Sequence, residues 1–164
     1  MARIPTRIGD GAGVLAVSLT LMSLGAALWV LGYPTIEVTV TATKTLKADP
    51  GSADQGFRAF AYFCGYTTVI GVIIGAWTAR TRPLGPLMLA WVVLCSAAGA
   101  AWSLWLGQVL VGRFFGFDAT SISPGDTISV APSVDPSVAL LCAPAAAATI
   151  YWAASAMASA SSVR

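Results

Sequence analysis

The stretch Ala59–Val111, AFAYFCGYTTVIGVIIGAWTARTRPLGPLMLAWVVLCSAAGAAWSLWLGQVLV, decides the fold. Ala59 to Trp77 carries no charged residue, and neither does Leu84 to Val111. Each is long enough to cross a hydrocarbon core of ~30 Å, which takes about 20 helical residues. Between them lies Ala79-Arg80-Thr81-Arg82-Pro83-Leu84-Gly85-Pro86, with two arginines, two prolines and a glycine. Proline removes a helical donor and clashes with the preceding turn, and arginine is costly at membrane depth. The reading is a transmembrane hairpin whose turn sits in water.

Working outward, Arg3 and Arg7 precede an apolar run from Gly11 to Tyr33. A secretory signal also starts with positive charge, but its apolar core is about 7–15 residues long. This run is longer, and is expected to be a retained first helix with Trp29 and Tyr33 at the far interface. Pro34 stops it. The helices are predicted at about 11–33, 56–79, 86–111 and 137–157, in one integral membrane domain spanning 1–164. The fold class expected is all-α, four transmembrane helices in two hairpins, with a small β element in the loops.

The two polar segments, 34–55 and 114–136, carry that β element. Thr35-Ile-Glu-Val-Thr-Val-Thr-Ala-Thr43 alternates as a strand does, and Thr127-Ile-Ser-Val-Ala131 is a second short run. The two are expected to pair above the bundle, giving a rough internal repeat of helix, strand-bearing loop, helix. Asp49-Pro-Gly-Ser-Ala-Asp54 reads as a turn.

Composition agrees with lipid as the solvent. The chain is 57% hydrophobic and 10% charged, with mean hydropathy +0.77, against about 25% charged in soluble domains. A net charge of +2 gives no reason to expect nucleic acid. Basic residues favour the cytoplasm. Arg3, Arg7, Arg80, Arg82 and Arg164 fall on one side with Asp10, while Lys44, Lys47, Arg58 and Arg113 share the other with six acids. Both termini are therefore expected in the cytoplasm of a cell with this chain in its plasma membrane, and both long loops outside.

Chemistry is sparse. There is no histidine, the commonest general base near neutral pH and a frequent metal ligand. Cys64, Cys95 and Cys142 are far apart, with no C-x-x-C among them. No acid or base lies centrally in a predicted span, where proton or solute coupling would need one. No catalytic residue, metal site or cofactor is expected, and the chain is read as not an enzyme.

Helix faces are the remaining signal. On the third helix Ser96, Ala100, Ser103 and Gly107 recur as a small stripe, expected inside the bundle, where close approach replaces the hydrophobic effect. Trp91, Trp102 and Trp105 lie on nearly the opposite side and are the candidate contact for lipid or a partner. The second helix has its own stripe, Cys64, Thr68, Gly71, Gly75 and Thr78, and Pro144 is expected to kink the fourth.

Several pieces carry a resemblance. They are the β-like Thr35–Ala42, then Ala48-Asp49-Pro50, Arg80-Thr81-Arg82 closing a helix, and Gly125-Asp126-Thr127 before the fourth helix. With them the chain resembles a family of small four-helix actinobacterial membrane proteins without an assigned activity. It also looks like accessory subunits of the cytochrome bc–cytochrome oxidase supercomplex of those bacteria. The resemblance implies a non-catalytic subunit whose partners are other integral membrane subunits and lipid. The alternative expectation is a small transporter or channel for an envelope lipid or solute, a homo-oligomer through Gly71 and Gly75, with Gln108 and Thr68 as polar but neutral groups that would line a path.

Overall fold

The computed structural model describes residues 6–32, 36–40, 46–48, 53–114, 127–130 and 136–161. Four long helices account for most of them: α1 (Thr6–Leu31), α2 (Ala53–Thr81), α3 (Pro86–Phe114) and α4 (Pro136–Ser161). All four are long and apolar enough to cross a membrane, and the chain is a multi-pass, all-α membrane protein. α2, α3 and α4 run a little beyond the expected segments, and α1 starts earlier but ends at Leu31 rather than at residue 33. Ala53 and Asp54 belong to α2 rather than to a turn. Asp54 lies in its first turn, where the macrodipole favours an acid, and it pairs with Arg58 at 3.1 Å. That pair is well exposed on both sides and contributes little.

The link between α2 and α3 is four residues, Arg82 to Gly85. The amide of Arg82 still donates to Thr78 O at 3.0 Å, and Leu89 N–H already donates to Gly85 O at 3.0 Å. Pro83 ends one helix, and Pro86 opens the next at the position where its missing donor costs nothing. Pro144 lies inside α4, which continues unbroken around it.

Among the described residues there are also three short strands, β1 (Ile36–Val40), β2 (Leu46–Ala48) and β3 (Thr127–Val130), in the order β2-β1-β3. Val38 pairs with Ala48 on one side of β1 and with Ile128 on the other, both antiparallel. The two alternating segments read from the sequence do pair. β2 was not anticipated, because Leu-Lys-Ala is too short to show a period. Tyr33, Pro34, most of the 114–136 loop and the three C-terminal residues lie outside the described residues.

Helices joined by the tight turn are not the ones that pack most closely. α2 rests mainly on α4 and α3 mainly on α1, while α2 and α3 touch little. Opposed positions give the directions. Gly71 and Gly75 meet Ala143 and Ala147, so α2 and α4 run parallel, while Gly99 meets Ser18 and Gly107 meets Trp29, so α1 and α3 do too. The core between them is built from Met22, Ile74, Val92, Ala143 and Tyr151, with a second cluster around Trp29, Phe63 and Leu104.

Candidate functional site

The small stripe of α3 faces α1. Ser96, Gly99, Ala100, Ser103 and Gly107 are all buried. Ser18 Oγ donates to Cys95 O at 2.8 Å, and Ser103 Oγ donates to Met22 O at 3.0 Å. Tyr66 Oη lies 2.7 Å from Ser103 Oγ. With the serine proton committed to Met22, tyrosine is the donor, and a relay of hydroxyls runs from α2 through α3 to α1. A Cβ added at Gly99 would stand 2.6 Å from Ser18 Oγ, and one at Gly107 would stand 2.6 Å from Trp29 Cζ3.

Trp29, close to the end of α1, turns inward and is 6% exposed. Its indole N–H donates to Ala59 O at 3.3 Å, and Phe63 meets the ring edge-on, with centroids 5.5 Å apart. The acceptor is a main-chain carbonyl on another helix, which no local pattern reveals. On α2 it is Thr67, not Thr68, that is buried. Thr68 and Gln108 both lie on the outside of the bundle, so neither lines a path through it.

Gly71 and Gly75 are used within the chain. A Cβ at Gly71 would sit 2.4 Å from Ala143 O, and one at Gly75 would sit 2.6 Å from Ala147 O. This face is already filled by α4 of the same chain.

The three tryptophans do not form one patch. Trp102 and Trp105 lie against each other with centroids 5.0 Å apart and planes 34° off parallel. Trp91 is eleven residues from Trp102 along α3, about 16 Å at the helical rise. They are partly exposed, at 39% for Trp91, 41% for Trp102 and 55% for Trp105. Two of them lean over α1 rather than straight outward. Trp91 Nε1 donates to Gly11 O at 2.9 Å, and Trp102 Nε1 donates to Ser23 Oγ at 3.0 Å. Only Trp105 presents its ring with no such tie to a neighbouring helix.

At the end of the bundle that holds the α2–α3 turn, Arg82 folds back instead of reaching into water. Its Nη1 donates to Asp10 Oδ1, and its guanidinium lies 5.7 Å from the centre of the Trp77 ring. The two charged side chains are only 24% and 27% exposed. The hydroxyl of Tyr151 accepts the N–H of Gly85 at 3.0 Å and so fastens α4 to the same turn. Gly13 leaves room for Arg82, since a Cβ there would come 2.9 Å from Nη2. Sequence separation hides this latch, because Asp10 and Arg82 are 72 residues apart.

Grooves flank these features. One of about 860 Å³ lies between the start of α1 and the first turns of α3, bordered by Asp10, Leu15, Met88, Trp91 and Leu94. Another of about 760 Å³ follows the α1–α2 contact past Leu28, Tyr62 and Val69.

The arrangement defines a membrane-spanning bundle in which Ser18, Trp29, Tyr66, Trp91, Trp102 and Ser103 tie helices together, while Thr67, Ser96 and Thr149 bond within their own helix. Compared with protein-family models, with curated proteins and with solved structures, the chain matches none.

Proposed function

We propose that the chain is a non-catalytic accessory subunit of a larger assembly in a bacterial plasma membrane, with both termini in the cytoplasm. The observation that carries this reading is the Trp102–Trp105 pair: two large aromatic rings held in fixed orientation on an outer face, one anchored by Ser23. Rigid aromatic anchors lose little entropy on binding and are over-represented where proteins meet. The hydroxyls of Ser18, Tyr66 and Ser103, by contrast, are engaged with neighbouring helices. Orientation rests on the arginines of the α2–α3 turn. The likeness to respiratory accessory subunits makes the cytochrome bc–cytochrome oxidase supercomplex the first assembly to test.

Trp105→Ala is the cleanest probe, because Trp105 makes no hydrogen bond that would be lost inside the chain. The tagged chain is purified in mild detergent and its companions are identified by mass spectrometry. Wild type is expected to bring down a stoichiometric set of membrane subunits, and Trp105→Ala to lose most of it while keeping its own helicity. An equal yield of companions from both would reject the tryptophan contact, and a wild-type chain that purifies alone would reject the subunit reading.

A further inference from the structure

We propose that Cys64 of α2 and Cys142 of α4 together form a two-coordinate binding site for copper(I). The two thiols lie within hydrogen-bonding reach of each other across the α2–α4 seam. Cys142 Sγ leans back along α4 and donates to Val138 O at 3.9 Å, so its sulfur is displaced toward the start of that helix. That is the direction of Cys64. It lies two turns before Gly71, whereas Cys142 immediately precedes Ala143, the residue that Gly71 meets. Both cysteines are half-buried. Cys142 also stands four residues inside the apolar span of α4, which begins at Val138, close to the surface from which an ion arrives.

The stagger decides what can join the two sulfurs. With Gly71 against Ala143, the Cα atoms of Cys64 and Cys142 are offset by more than one turn of two parallel helices, which is more than about 5.4 Å. The sideways gap between the helices adds to this and takes the pair past the ~7 Å beyond which cysteines cannot be bridged without backbone movement. A direct disulfide does not fit, but an atom placed between the sulfurs does. Metal–thiolate bonds are about 2.3 Å long, so a linear bridge holds its sulfurs about 4.6 Å apart. Soft thiolates select copper(I), an ion satisfied by two of them in line. Zinc takes four ligands, and among the described residues no three His, Cys, Asp or Glu come together. Binding breaks both S–H bonds and forms two S–Cu bonds. Two protons leave, no electron moves, and the bridged pair carries one negative charge.

The test uses the full chain in detergent, reduced and kept free of oxygen, with copper(I) supplied against the chromogenic chelator bicinchoninate. Wild type is expected to take one copper(I) per chain, with an X-ray absorption signature of two sulfur neighbours and no nitrogen or oxygen. Because two protons are displaced, affinity should rise by up to about a hundredfold per pH unit. Cys64→Ser and Cys142→Ser should each surrender the metal to the chelator. Cys95→Ser alters the buried thiol of α3 and should hold copper(I) as wild type does. Circular dichroism checks that each variant keeps its helices, and the alanine variant replaces any serine variant that does not. Copper(I) retained without Cys64 or without Cys142, or no uptake by wild type, would overturn the proposal. So would displacement by equimolar zinc(II), or ready formation of a Cys64–Cys142 disulfide on treatment with diamide, because the sulfurs would then meet directly.

Discussion

Where α2 meets α4, glycine removes the side chain. Where α1 meets α3, serine and tryptophan keep one and use it as a tie. The first seam lets two backbones touch: Ala143 O and Ala147 O occupy the positions that Cβ atoms of Gly71 and Gly75 would need. The second seam also contains close glycines, Gly99 and Gly107, but what they admit are side chains, Ser18 Oγ and the Trp29 ring. It is then crossed by directed bonds from Ser18, Trp91, Trp102 and Ser103. Lipid supplies no hydrophobic drive between helices, so both routes, close packing and hydrogen bonding, are available. They differ in tolerance. A backbone contact cannot rearrange around an added atom, while a side-chain tie can be lost one bond at a time.

That difference sets the largest expected effect. Gly71→Leu must push α4 away along its length, and overpacking of this kind costs ~3 kcal/mol or more. Gly65→Ala on the same helix is the control, since nothing lies within 4 Å of its added Cβ. Unfolding in a graded SDS–detergent mixture, followed by circular dichroism, should put Gly71→Leu far below wild type and Gly65→Ala level with it. If Gly71→Leu unfolds with wild type, the α2–α4 seam is not the close contact described.

A smaller loss is expected across the other seam. Ser103→Ala removes the bond to Met22 O and leaves the Tyr66 hydroxyl without its acceptor. Hydrogen bonds between membrane helices average ~0.6 kcal/mol, and an orphaned buried hydroxyl adds ~1 kcal/mol. Adding Tyr66→Phe to Ser103→Ala should therefore recover part of the loss. A double variant as unstable as the sum of the two single variants would mean that the hydroxyls are not coupled.

The two seams were not equally legible. Hydropathy and the arginine–proline turn mark all four spans, and the alternation of β-branched residues marks β1 and β3 well enough for their pairing to be read. The α3 stripe could be seen because four small residues share one face of a helix. Its partner could not, because what α1 offers α3 is largely main-chain acceptors, Met22 O and Gly11 O. Main-chain carbonyls are the same in every residue, so sequence does not advertise them. The short turn between α2 and α3 points to those helices as neighbours, and connection length does imply an antiparallel pair. It does not say which face each turns to the other. Gly71 and Gly75 require a small, flat surface opposite, and the alanine run of α4 supplies it. The same blindness hid the latch at Arg82, whose ring and carboxylate partners lie on separate helices.

The smallest effect tests whether the glycine seam is ideal. Thr78 continues the face of Gly71 and Gly75, seven residues after the first. Its hydroxyl is buried with no hydrogen-bond partner. In a helix a threonine hydroxyl ordinarily finds the carbonyl four residues back, as Thr67, Thr81 and Thr149 do here. Burying it unpaired costs on the order of 1 kcal/mol. Thr78→Val keeps the shape and removes the polar atom, so it should raise the unfolding midpoint by up to ~1 kcal/mol equivalent. Val is a slightly poorer fit to the helix only through its restricted χ1, which threonine already shares. A fall in stability would mean that the hydroxyl has an acceptor at the seam, and that α2 meets α4 by hydrogen bonding as well as by contact.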